Sequence, residues 1–190
     1  MLEDKRIIVT GSARGMGLAT LTAFVQAGAR VVGMDINDAD GEQAARDANA
    51  LGPGKASYLH IDIADKSSVE TAFQEAVNWL GGLDVLAHPA AIQAGSAASD
   101  VSVEHWDQMF AVNVRGTMIT NQAAYHHMKA AGGGSIINFG SISGQRAEPG
   151  AVAYSGLLAS QRISGIDSRD QKIVIVGGGS AGVGISRQIH

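Results

Sequence analysis

A short apolar strand that runs straight into a glycine turn constrains this chain more than any other feature. The stretch is KRIIVTGSARGMG, from Lys5 to Gly17. Ile7, Ile8 and Val9 are a β-branched run of the kind that fills a buried strand in a parallel sheet. Glycines at 11, 15 and 17 then form a turn, followed by the helix-like segment LATLTAFVQAGA. Such a junction aims unpaired backbone N–H groups and the positive end of a helix dipole at one point, where a pyrophosphate is the natural occupant. The glycines are spaced TGxxxGxG, one residue wider than the GxGxxG of most dinucleotide folds. A second strand, RVVGMD, ends in Asp35 at the distance a ribose-binding acid requires. Strand, turn, helix and acid together predict a dinucleotide site at this end.

Strand and helix patterns go on alternating. RVVGMDI is strand two, DADGEQAARDANALG a helix and KASYLHIDI strand three. Ser67 and Glu70 read as a capping box ahead of the helix VETAFQEAVNWLG. LDVLAHPA is strand four, and AIQAGSAASD a loop. The segment SVEHWDQMFAVNVRGTMITNQAAYHHMKAAGGG reads as one long helix interrupted near Asn113 and Gly116. SIINFG is strand five. The alternation predicts an α/β fold, a doubly wound parallel sheet of Rossmann type with helices on both faces.

Composition excludes several functions. A net charge of -4 with no long basic run argues against a nucleic-acid partner. The absence of cysteine removes disulfides and thiolate metal sites, and points to a cytoplasmic setting. No apolar run approaches the ~20 residues of a membrane span, and MLEDKR does not read as a signal peptide. The six histidines suggest no metal site, because His126 and His127 are adjacent on a helix and face apart.

Taken in order, these residues resemble the short-chain dehydrogenase/reductase family over about residues 1–156. TGSARGMG resembles its cofactor loop, Asp62-Ile63 its adenine-contacting pair, Asn113 in NVRG its helix-interrupting Asn, and Ser141 and Tyr154 its catalytic Ser and Tyr. The resemblance implies an NAD(P)-dependent oxidoreductase that moves a hydride between nicotinamide and a secondary alcohol or ketone. It implies Tyr154 as acid/base, Ser141 as binder of the substrate oxygen and Asn113 in a proton relay. Cofactor contacts would come from Gly11, Ser12, Arg14, Gly15, Met16, Gly17, Asp35, Ile36, Asp62, Ile63, Ala90, Ala91 and Tyr154. Asp35 favours NAD by repelling a 2′-phosphate, whereas Arg14 could pair with one, so NADP is the lesser expectation. A homo-oligomer is implied through the helix around 114–130 and the helix after Tyr154.

Two departures stand out. The family places a Lys four residues after the Tyr to lower its pKa and hold the nicotinamide ribose, and here that position is Leu158. Leucine offers neither charge nor donor, so Tyr154 loses the partner that would favour its phenolate, and activity is expected to be low or absent. His88-Pro89-Ala90-Ala91 stands where the family has Asn-Asn-Ala-Gly, and Pro89 brings no N–H.

After Ser155 the resemblance changes. GLLASQRISG and DQKIVIVGGGSAGVGISRQI resemble the entry into the NAD-binding domain of malic enzymes, with Gly177, Gly179 and Gly182 matching GxGxxG. Two readings stay open. The tail, residues 156–190, is an incomplete second nucleotide site from a joined or rearranged chain, or KIVIVG supplies a sixth strand to the same sheet, with its glycines a plain turn. The functional expectations are likewise two: an oxidoreductase impaired by Leu158, or an NAD-binding module without catalysis in a truncated or chimeric chain.

Overall fold

The computed structural model describes residues 2–93, 95, 97, 99–141 and 173–177. Five strands and five helices alternate through residue 140. They are β1 (Arg6–Thr10), α1 (Gly15–Gln26), β2 (Arg30–Asp35), α2 (Asp38–Asn49), β3 (Lys55–His60), α3 (Lys66–Leu80), β4 (Val85–His88), α4 (Val103–Phe110), α5 (Thr117–Ala130) and β5 (Ser135–Gly140). A π-helical stretch, Ala111–Gly116, joins α4 to α5. A last strand, β6 (Ile173–Gly177), follows.

The strands form one sheet in the order β3-β2-β1-β4-β5-β6, and every pairing is parallel. β6 pairs with β5 from Ile136–Ile173 to Gly140–Gly177. Strand alternation sends neighbouring side chains to opposite faces. Ile7, Val9 and Val31 pack with Leu21 and Val25 of α1 and Ala45 and Ala48 of α2. Ile8, Val32 and Met34 pack on the other face with Val69, Phe73 and Leu80 of α3 and Ile119 and Met128 of α5. Phe73 is fully buried, a placement that stabilises the fold by roughly 1.5–3 kcal/mol. The doubly wound reading is the observed architecture. Among the described residues no helix is long and apolar enough to cross a membrane.

Several boundaries differ from the sequence reading, each for a local reason. α1 begins at Gly15 rather than Leu18 and gives out before Gly28, whose φ of 91° breaks the helical run. The cap of α3 is Asp65, which accepts from the Ser67 N–H; Ser67 also donates its hydroxyl to Asp65, and Glu70 pairs with Lys66. A Ser67–Glu70 capping box is therefore absent. β3 stops at His60, so Asp62 and Ile63 lie in the turn beyond it, where the Asp62 carboxylate accepts from Ala64 N–H and its own N–H donates to the Ser68 hydroxyl. β4 stops at His88, because Pro89 has no N–H to continue the ladder. The interruption at Asn113 is a π turn within a continuous helical path, not a break.

Candidate functional site

In an open parallel sheet, ligands gather beyond the carboxyl ends of the strands where the strand order reverses. Here the reversal lies between β1 and β4. The glycine turn follows β1, and the segment from Pro89 follows β4. The two touch: a Cβ on Gly11 would stand 2.8 Å from Cα of Ala90.

The turn is shaped by its glycines. A Cβ on Gly17 would overlap the carbonyl oxygen of Gly11, so only glycine lets α1 start this close to the turn. Gly15 has a φ of 57°, and no described residue lies within 4 Å of where its Cβ would project. Arg14, Gly15 and Met16 are exposed around that opening, Met16 by 50%. Ser12 sits beneath, its N–H donating to the Met34 carbonyl and its buried hydroxyl facing Gly33.

The N-terminus of α1 is chemically distinct. Helices α2, α3 and α4 each begin with a side-chain cap, from Asn37, Asp65 and Ser102. Arg14, at the same position of α1, makes no such bond, and the first turn of α1 holds no acid. Among the described residues, the first N–H groups of α1 thus have no side-chain acceptor and open onto free space, the arrangement that receives an anion.

Asp35, at the end of β2, flanks this opening. Its Oδ2 accepts from Ala13 N–H at 2.9 Å and its Oδ1 from Asn37 N–H at 3.0 Å. Each carboxylate oxygen keeps a further lone pair for a hydroxyl. Ile36 beside it is 64% exposed. Asp62 and buried Ile63 stand in the turn after β3, and the Ile63 carbonyl abuts Gly116 of the π turn. The donor and acceptor chemistry of these residues, uncapped amides beside a carboxylate with open lone pairs, fits a dinucleotide.

On the β4 side, Ala90 is half-buried and Ala91 exposed. Asn113 is buried, and its amide grips the next residue along: Oδ1 accepts from Ile92 N–H at 2.9 Å and Nδ2 donates to Ile92 O at 2.8 Å. This pair fixes the segment after β4 against the π turn. Ser141 directly follows β5 and is half-buried. Tyr154, Leu158 and the second glycine turn after Gly177 lie outside the described residues.

One group was noted in the sequence only as a departure. His88 is 3% exposed, with Nδ1 2.7 Å from the Thr10 hydroxyl and Nε2 3.2 Å from that of Thr117. Burial pushes its pKa down to about 4, so the ring is neutral near pH 7. No local sequence signal marks these contacts; they arise from the pairing of β1 with β4, which reaches Val9–Ala87 just before Thr10 and His88.

The sequence model described as short chain dehydrogenase matches residues 5–157. The chain belongs to the short chain dehydrogenase family. A second match, to the NAD binding domain of malic enzyme, covers residues 148–190. The chain is 35% identical to a cyclopentanol dehydrogenase of Comamonas sp. (strain NCIMB 9872) over 162 residues, 85% of this chain and 64% of that protein. It is 38% identical to a sorbitol dehydrogenase of Cereibacter sphaeroides over 160 residues, 84% of this chain and 61% of that one. It therefore spans less than two thirds of the length of these curated relatives. A short chain dehydrogenase from Mycobacterium smegmatis superposes with a TM-score of 0.84 at 26% identity, over 93% of this chain and 77% of that structure. Membership of this family brings a nicotinamide dinucleotide as the expected occupant of the glycine turn.

Proposed function

We propose that this short chain dehydrogenase binds NAD and belongs to an oxidoreductase acting on a secondary alcohol or ketone. The observation that carries the reading is the uncapped N-terminus of α1 opening beside Asp35. Gly11, Ser12, Arg14, Gly15, Met16 and Gly17 would hold the pyrophosphate, Asp35 and Ile36 the adenosine ribose, and Asp62 and Ile63 the adenine. Ala90, Ala91 and Tyr154 would meet the nicotinamide end. The Asp35 carboxylate favours NAD, since a 2′-phosphate would bring like charge against it.

Bound nicotinamide supplies the acceptor or donor of a hydride. Tyr154 would take the alcohol's hydroxyl proton as the carbon gives up that hydride, and Ser141 would hold the oxygen. Asn113, fixed by its two bonds to Ile92, would anchor the path by which the proton leaves. With Leu158 in place of a lysine, nothing at that position lowers the Tyr154 pKa, and turnover is slow. The cyclopentanol and sorbitol dehydrogenases among the relatives support the alcohol class of substrate.

We read residues 1–155 as the dinucleotide-binding unit and 156–190 as a tail on the same sheet, a reading supported by the parallel pairing of β6 with β5. Val103, Trp106, Met118 and Tyr125, exposed along the α4–α5 path, support assembly as a homo-oligomer. The cysteine-free composition supports a cytoplasmic setting.

Leu158 favours a second reading, an NAD-binding module without catalysis. Thermal unfolding with saturating NAD or NADP tests the first step, since a ligand of the native state adds RT ln(1 + [L]/Kd). A larger rise with NAD is expected, and no rise with either nucleotide would refute dinucleotide binding. Turnover of a secondary alcohol that Tyr154→Phe abolishes would then exclude the module. A Leu158→Lys chain that binds NAD but stays inert would support it.

A further inference from the structure

His88 joins three pieces of the candidate site that its own strand does not contain. Its Nδ1 meets the hydroxyl of Thr10, the residue before the glycine turn. Its Nε2 meets the hydroxyl of Thr117 at the start of α5, and that hydroxyl lies 2.8 Å from the backbone carbonyl of Asn113 in the π turn.

Proton counting fixes the direction of this chain. Thr117 has one hydroxyl proton, and the Asn113 carbonyl can only accept, so the proton points there. The Thr117 oxygen must then accept from His88, which places the ring proton on Nε2. Nδ1 is left as an acceptor, and Thr10 donates to it. Donation thus runs one way, from Thr10 through His88 and Thr117 to Asn113, and both ring nitrogens are satisfied. A buried, neutral imidazole with one donor and one acceptor nitrogen meets the requirement; an apolar side chain would take the acceptor from the buried Thr10 hydroxyl and the donor from the Thr117 oxygen, which would keep only its bond to Asn113.

We propose that His88 is a positioning residue, a neutral ring held as the Nε2–H tautomer that transmits the placement of the glycine turn to the backbone carbonyl of Asn113. The functional consequence rests on the dinucleotide reading above: occupation of the glycine turn is felt at the residue proposed to anchor the proton path. The coupling itself rests only on the four groups and their distances.

The test is resonance spectroscopy on the isotopically labelled full chain, first without nucleotide. His88 should show a protonated, slowly exchanging Nε2 and an unprotonated Nδ1; the opposite tautomer would overturn the proposal. Thr10→Val should shift the Asn113 carbonyl resonance, and Thr10→Ser, which restores the hydroxyl, should return it. Movement of the His88 ring signals with an unmoved Asn113 carbonyl would also overturn it. Should Thr10→Val fail to fold, Thr117→Val reads the chain from its other end, with the Gly11 amide expected to shift and an unshifted Gly11 counting against the coupling. NAD is added second. A shift of the Asn113 carbonyl that follows occupancy in wild type and is lost in Thr117→Val supports the functional consequence, and NAD binding without that shift removes it. No response to NAD at any residue counts against the dinucleotide reading alone, while the coupling stands or falls on the first set of spectra.

Discussion

The backbone N–H of Ala13 donates to Oδ2 of Asp35 at 2.9 Å, so the acid at the end of β2 holds the glycine turn after β1. The carboxylate also takes the N–H of Asn37, just ahead of α2. One side chain thereby sets the position of the turn, and its remaining lone pairs are the ones the proposed ribose contact would use. Under that proposal, shape and recognition meet at a single residue.

Asp35→Asn separates the two roles. An amide has one acceptor oxygen, so one of the two backbone donors loses its partner, at a cost of about 1–3 kcal/mol. Removal of the charge should also narrow the preference for NAD over NADP. Titration calorimetry should show weaker NAD binding and a smaller ratio between the two nucleotides. An unchanged ratio would remove Asp35 from the ribose site.

Two glycines of the same turn should respond differently to alanine. At Gly17 the new methyl would overlap the Gly11 carbonyl, so the start of α1 must move. Overpacking of this kind costs about 1–3 kcal/mol and sometimes more, and NAD binding should go with it. At Gly15 the methyl enters open space, and the cost is the left-handed backbone alone, about 1–2 kcal/mol. Gly15→Ala should therefore stay folded and still lose NAD affinity, because its methyl occupies the opening. Urea unfolding with and without NAD distinguishes the cases, and full NAD affinity in Gly15→Ala would displace the phosphates from this opening.

Much of this was legible in the sequence because the signals are local. β-branched runs, helical periodicity and the glycine spacing each act within a few residues, and they placed five strands, the uncapped turn and Asp35. The interruption at Asn113 was legible too, but its form was not, since a π turn and a break leave the same trace in a sequence. The capping reading at Ser67 failed because Asp65, two residues earlier, is the better acceptor and takes the Ser67 N–H. The links through His88 were hidden for another reason: Thr10, His88 and Thr117 are far apart in sequence, and only the pairing of β1 with β4 and the docking of α5 brings them together.

His88 makes stability depend on pH. Its native pKa of about 4 lies below its ordinary value of 6.5, because burial disfavours the charged ring. Between those values the unfolded chain binds a proton that the native chain does not, so stability is full above 6.5 and falls as pH drops toward 4. Linkage gives a loss of about 2 kcal/mol at pH 5 and about 3 kcal/mol at pH 4. Urea midpoints measured from pH 7.5 to 4.5 should fall accordingly in wild type and less steeply in His88→Asn, which has no proton to gain. Parallel curves would mean that His88 is protonated in the native state or reaches water.

Arg6 and Asp84 provide the opposite case, a strong contact placed away from the site. They join the starts of β1 and β4, while the glycine turn and Ala90 follow the ends of those strands. The Asp84 carboxylate takes Arg6 Nε at 3.0 Å, the Arg6 backbone N–H at 2.9 Å and a second guanidinium nitrogen at 2.6 Å, with side chains 30% and 25% exposed. These bonds hold the Asp84 pKa below the usual carboxylate range, so their contribution is present near neutrality and lost as pH falls through that depressed value. Partial exposure screens the pair, and Asp84→Asn should cost about 1–2 kcal/mol. The midpoint of thermal unfolding should drop, while the NAD dissociation constant of the folded variant stays within about twofold of wild type, well under the 1.4 kcal/mol of a tenfold change. A larger change in that constant would show that the two ends of β1 and β4 are not independent, and that stability and nucleotide binding share the same contacts.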